Sequence, residues 1–209
     1  PDDERSELLL TQLPRERRGY LQLRMAAILL TGIERPQLSR DGAEIIGAVH
    51  STFADSPAFL RDRILTMLSR RTYMVAAWLQ SLPEHPTDTW GKMIAAHGLS
   101  ALPPEEAEKT LSEYLQTDVE PLQDIAAATA QQYFADFLQD SRFANHQSPT
   151  VRRAWAAAVT DACPIENCER WLELLQAPDI QGTVIRHLIG RIDASFLPLL
   201  VQVYRREQS

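Results

Sequence analysis

The sequence predicts an all-α fold of stacked antiparallel helix pairs, either an α-solenoid or an irregular helical bundle, and three observations carry that reading. Apolar residues recur at helical spacing almost everywhere, as in Val151, Ala154, Trp155, Ala158 and Val159, which follow the i, i+3, i+4, i+7, i+8 template without a gap. The 13 prolines fall mostly between such stretches, where they start and stop helices, while Gly is scarce at 8. Strand signals are missing: no run of alternating Val, Ile, Thr and aromatics is joined to another by a hairpin dipeptide, and Asp41-Gly42 leads into a helical pattern.

The elements follow in order. Helices are expected at 3–12 and 15–33, the second containing the longest apolar run, Met25 to Leu30, preceded by Arg24. Ile45, Ile46, Val49 and Phe53 mark a helix at 39–54. Ser56-Pro57 opens the next at 57–70, with Leu60, Ile64 and Leu68 on one face. A helix at 72–82 ends before Pro83 and Pro86, and one at 88–101 ends before Pro103-Pro104. Ala107, Leu111, Tyr114 and Leu115 mark 104–116; Pro121 opens 120–140. Ser148-Pro149 opens 149–162, with the serine hydroxyl expected to accept from a first-turn amide and the proline placed where no amide partner exists. Pro164, Pro178 and the cap residue Asp193 set the starts of 165–176, 180–191 and 194–206.

A chain of 209 residues with 44% hydrophobic content can bury a core without staples. It reads as one all-helical domain, 1–209, with Ser81 to Thr89 as a joint between sub-arrays 1–82 and 88–209. The opening Pro1-Asp2-Asp3-Glu4 lacks a methionine and a charged-then-apolar leader, as expected of a fragment of a larger protein or a processed form. No apolar run approaches the roughly 20 residues of a membrane span, so no membrane insertion is expected and the setting is read as cytoplasmic. The only cysteines, Cys163 and Cys168, are read as two ordinary thiols at a helix corner or as a local disulfide or redox pair.

Short turns between helices force antiparallel neighbours. The C-terminal half then repeats: Arg152-Arg153 with Trp155 and Val159 corresponds to Arg186-His187 with Leu188 and Ile192, the two basic pairs standing 34 residues apart. Ser148-Pro149-Thr150-Val151-Arg152-Arg153-Ala154-Trp155-Ala156-Ala157-Ala158-Val159 resembles the second helix of a HEAT-type repeat, and Ser195-Phe196-Leu197-Pro198-Leu199-Leu200-Val201 resembles the first helix of another. The resemblance to HEAT-like and armadillo-like repeats is best over 120–207 and weaker over 56–82, and the turn Asp is missing before Pro149. It implies a superhelical scaffold that binds macromolecules and no chemistry by itself.

The net charge of −7 is concentrated centrally: residues 72–140 carry Lys92 and Lys109 against 11 acids. Glu105, Glu106, Glu108, Glu113, Asp118 and Glu120 are therefore candidates for docking a partner with a basic surface, although acids in a first helical turn also complement the helix dipole. Arg152 and Arg153 complete the candidate set, because arginine forks bind carboxylates in two-bond geometry. The arginine clusters are balanced by nearby acids such as Glu16 and Asp62, which argues against a nucleic-acid surface.

Chemical motifs are absent. The histidines, His50, His85, His97, His146 and His187, show no i, i+4 pair, no Glu precedes a His by three, and there is no phosphate loop and no Gly-x-Ser-x-Gly elbow. No catalytic, metal or cofactor-binding residue is assigned. Trp78, Trp90, Trp155 and Trp171 fall on apolar periodicity and are expected in the core. The expected function is a non-catalytic helical scaffold for protein–protein interaction. The alternatives are a HEAT-like nucleic-acid-processing enzyme such as a DNA glycosylase, and a regulatory domain binding a small apolar ligand.

Overall fold

A computed structural model describes residues 2–31, 39–164 and 167–189, with Val201 and Arg205. Every regular element among them is helical, and none is a strand. In chain order these are α1 (Asp2–Gln12), α2 (Gly19–Thr31), α3 (Ser39–Phe53), α4 (Ala58–Leu68), α5 (Thr72–Ser81), α6 (Thr89–Ala96), α7 (Pro104–Leu115), α8 (Glu120–Tyr133), α9 (Ala135–Leu138), α10 (Pro149–Ala162), α11 (Cys168–Gln176) and α12 (Gln181–Ile189). Apart from Val201 and Arg205, the helix expected at 194–206 lies outside the described residues.

Three boundaries differ from the sequence reading for local reasons. The helix expected at 15–33 begins only at Gly19, because Leu13–Arg15 forms a 3-10 turn. Glu16 then takes the amides of Arg17 (3.0 Å) and Arg18 (2.9 Å) on its carboxylate. The Arg18 side chain bonds the same carboxylate and holds it down at about 2, far below the ordinary range. The helix expected at 88–101 ends at Ala96, and Gly98 follows in close approach to α5: a Cβ there would stand 2.9 Å from the Ala76 amide nitrogen. The helix expected at 120–140 is broken at Phe134 (φ −135°, ψ 46°), and the short α9 beyond it turns Leu138 fully inward.

Both Ser-Pro pairs start helices, but neither serine caps one. Pro149 occupies the first turn of α10 and Ser148 makes no capping bond; Pro57 is itself the cap residue of α4. The side-chain caps come instead from Asp88, accepting from the Gly91 amide (2.7 Å), and from Asn167, accepting from the Arg170 amide (3.2 Å).

The chain divides into two compact units, Pro1–Ala126 and Ala127–Ser209, so the 81–89 stretch lies within the first. In the first unit α2 runs parallel to α4, and α3 to α5. At one end of the α2/α4 pair a Cβ on Gly19 would meet Leu60; at the other, Arg71 Nε donates to the Leu30 carbonyl (2.8 Å). The α3/α5 pair has the same sense, with Gly42 against Met74 and Gly47 against the Trp78 indole. The core between these layers contains Ile45, Ile46, Val49, Phe53, Ile64, Leu68 and Met74, all fully or nearly fully buried.

The second unit repeats that sense. Arg152, near the start of α10, bonds Asp179 just before α12, and His187 Nδ1, near the end of α12, meets Asp161 Oδ1 (2.8 Å), near the end of α10. Two ties of the same order along both helices make α10 and α12 parallel. Helix α11 lies between them in sequence and packs on α12. Their buried positions match at 33 residues, Val151 with Val184 and Trp155 with Leu188.

Candidate functional site

The acidic candidates sit on α7, in the turn after it and at the start of α8. Glu105, Glu106 and Glu113 are exposed on α7, Glu108 is half-buried, and Asp118 and Glu120 are exposed beyond it. The opposite face, Ala107, Leu111, Tyr114 and Leu115, is buried, so the amphipathic pattern itself turns these carboxylates to solvent. Glu106 Oε1 meets His85 Nε2 at 3.2 Å. Burial, aided by the Glu113 charge, raises the Tyr114 phenol well above its ordinary range.

Arg152 and Arg153 part company. Arg153 is exposed. Arg152 is half-buried and held through Nε and Nη1: its guanidinium donates to Asp179 and to the carbonyls of His146 and Gln147, the last at 3.0 Å. One side chain thus ties the loop before α10 to the turn before α12. The Arg152 hydrogen bond holds the Asp179 carboxyl below its ordinary range, against the small opposing effect of burial.

Beside this tie lies an open cleft of about 300 Å³, within the second unit, formed between α10, α11 and the turn leading into α12. Its polar side chains include Arg152, Arg170, Glu173 and Asp179; Leu174 and Ile180 supply apolar wall. Arg170 stands over the indole of Trp155, 5.8 Å from the ring centre, and Nη1 donates to Glu173 Oε2 (2.9 Å). Trp155 is 6% exposed, and its Nε1–H is buried without an acceptor. Trp171, in contrast, is fully buried with its Nε1–H donating to the Pro164 carbonyl (3.0 Å).

All four tryptophans are buried, as their periodicity predicts. Arg170, Glu173 and Asp179 were not legible as site residues: Asp179 lies 27 positions from its partner, and Arg170 with Glu173 reads as an ordinary i, i+3 surface pair. The Asn167 cap three residues before Arg170 is the one local signal that places the guanidinium at the start of α11.

A second polar cluster links α3 to α6. His50 Nε2 meets Asp88 Oδ2 (3.2 Å), Trp90 Nε1 donates to the His50 carbonyl (3.1 Å), and the His50 ring lies 5.4 Å from Trp78. Burial raises the Asp88 carboxyl, but the Gly91 amide and His50 outweigh it, leaving it below the ordinary value. A Cβ on Gly91 would stand 2.8 Å from the Asp88 carboxylate and 2.6 Å from Pro86, so the cluster depends on glycine there. These contacts join helices and place no nucleophile against the imidazole.

Among the described residues no three His, Cys, Asp or Glu side chains converge as a metal site, and no helix is long and apolar enough to cross a membrane. Cys163 is buried, whereas the side chain of Cys168 lies outside the described residues, and with it the question of their pairing. No family model, curated protein or solved structure matches the chain.

Proposed function

We propose that the chain is a non-catalytic, HEAT-like helical scaffold that binds another protein in a cytoplasmic setting, with the acidic surface of α7 as its docking site for a basic partner. The observation that carries the reading is the parallel sense of next-but-one helices, α2 with α4, α3 with α5 and α10 with α12. Such stacking lines up equivalent faces of successive helices and so builds extended surfaces rather than an enclosed reaction chamber. The exposed carboxylates Glu105, Glu106 and Glu113 supply the charge that would steer a basic partner.

Carbodiimide crosslinking, which joins a carboxylate to a partner lysine at zero length, tests the proposal. Crosslinks from copurified protein should map to Glu105, Glu106 or Glu113, and the triple variant Glu105→Lys, Glu106→Lys, Glu113→Lys should lose them while keeping its fold. A chain that stays monomeric and partnerless at micromolar concentration, or a triple variant that keeps its crosslinking partner, overturns it.

A further inference from the structure

The cleft of the second unit carries an inference separate from the α7 surface. Arg152 is held in place by three local acceptors on Nε and Nη1 and acts as framework. Arg170 is not. Its guanidinium gives one bond, to Glu173, whose side chain is 65% exposed and is therefore held by little else. Beneath it, Trp155 is more than nine-tenths buried in the cleft wall and carries a donor with no acceptor. A buried indole N–H without a partner costs free energy that an incoming acceptor would recover. Among the lining charges Arg152 and Arg170 balance Glu173 and Asp179, and Arg153 adds its charge beside Asp179, a local excess of one positive charge. Leu174 and Ile180 complete the wall with apolar surface.

We infer that this cleft binds an extended acidic peptide segment of a partner protein, with one carboxylate on Arg170, one main-chain carbonyl on the Trp155 Nε1–H, and an apolar side chain against Leu174 and Ile180. The ligand carboxylate takes the place of Glu173, which leaves without cost in buried charge. As Arg170 turns toward the ligand, it leaves the face of the indole that it now covers. A volume of about 300 Å³ is at the small end of ligand sites and suits two or three residues rather than a folded surface. A guanidinium fork selects a carboxylate over an amide of the same shape.

The test is an NMR titration of the intact chain, which has four tryptophans and thus four indole N–H signals. Trp155→Phe identifies the relevant one. The probe is the blocked tripeptide acetyl-Leu-Glu-Leu-amide, compared with its Gln and Lys counterparts. The Trp155 signal should move downfield and saturate with the Glu peptide, at least tenfold more tightly than with the Gln peptide. Arg170→Gln should abolish that preference while the other three indole signals stay in place. A Trp155 signal that does not move, equal response to Glu and Gln peptides, or preference for the Lys peptide overturns the inference. None of these outcomes depends on the α7 carboxylates, so the two binding sites fail or survive separately.

Discussion

The α3/α5 seam and the α10/α12 seam join helices of the same relative sense by different means. In the first, contact is made by shape: Gly42 removes a side chain from α3 so that Met74 of α5 can lie against it, and the Trp78 indole packs over Gly47. In the second, the helices are tied near their ends by polar contacts, the ion pair of Arg152 with Asp179 and the hydrogen bond between His187 and Asp161. Close packing without polar atoms is indifferent to salt and protonation, whereas partly exposed ion pairs answer to both. One topology therefore has two sensitivities, and each can be broken alone.

The largest expected effect belongs to the shape-based seam. Trp78→Ala removes a 4%-exposed ring that lies on Gly47 and beside His50. It should destabilise the first unit by about 3–5 kcal/mol, read by urea unfolding. A loss under 1 kcal/mol would show that the seam is not close-packed.

Much of this comparison was legible in the sequence, though unevenly. The apolar stripes of Ile45 to Phe53 and Val151 to Ala158 placed the buried faces, because burial follows the 3.6-residue period directly. The parallel sense of α3 and α5 was not visible in a repeat signature, since the pairings that show it, Gly42 with Met74 and Gly47 with Trp78, join residues 31 or 32 positions apart with no shared motif. The break at Phe134 was also hidden. No proline or glycine marks it, and beyond it α9 buries Leu138. Of the site candidates, periodicity exposed Glu105, Glu106 and Glu113 correctly, but the partner of Arg152 depends on two helices folding side by side, which no local spacing encodes.

Acid should separate the units next. His97, in the first unit, is largely buried with Nε2 unpartnered, and burial draws its pKa from 6.5 down to about 4. Between those values the unfolded chain binds a proton that the folded chain does not. Stability should fall as pH drops through this window and level off below about 4, a total of about 3 kcal/mol. His97→Phe should flatten the profile there; an unchanged profile would place the acid sensitivity elsewhere. The Asp179 carboxyl, depressed by Arg152, contributes stability that is present above its unfolded value of roughly 3.9 and is lost as pH falls through its folded value.

A smaller effect is expected at the charged seam itself. Arg152→Met keeps the length of the stem but removes the tie to Asp179 and to two carbonyls, and should cost the second unit about 1–2 kcal/mol. The loss should shrink in 1 M salt, where the ion pair is already screened, while that of Trp78→Ala should not. Equal salt dependence would remove the distinction between the seams. Smallest, and opposite in sign, is Gly47→Ala. A Cβ there would meet the Trp78 indole at 3.8 Å, ordinary contact, so the gain in helix propensity of about 0.5–1 kcal/mol should appear as added stability.

The parallel sense of next-but-one helices is tested directly by spin-label distances. With Cys163 and Cys168 replaced by alanine, label pairs at Arg153 with Gln181 and at Arg153 with Ile189 sample the start and the end of α12 from the start of α10, all at exposed positions. The account predicts the 153–181 distance to be the shorter, by up to about 12 Å for eight residues of helix. A shorter 153–189 distance would make α10 and α12 antiparallel and contradict it.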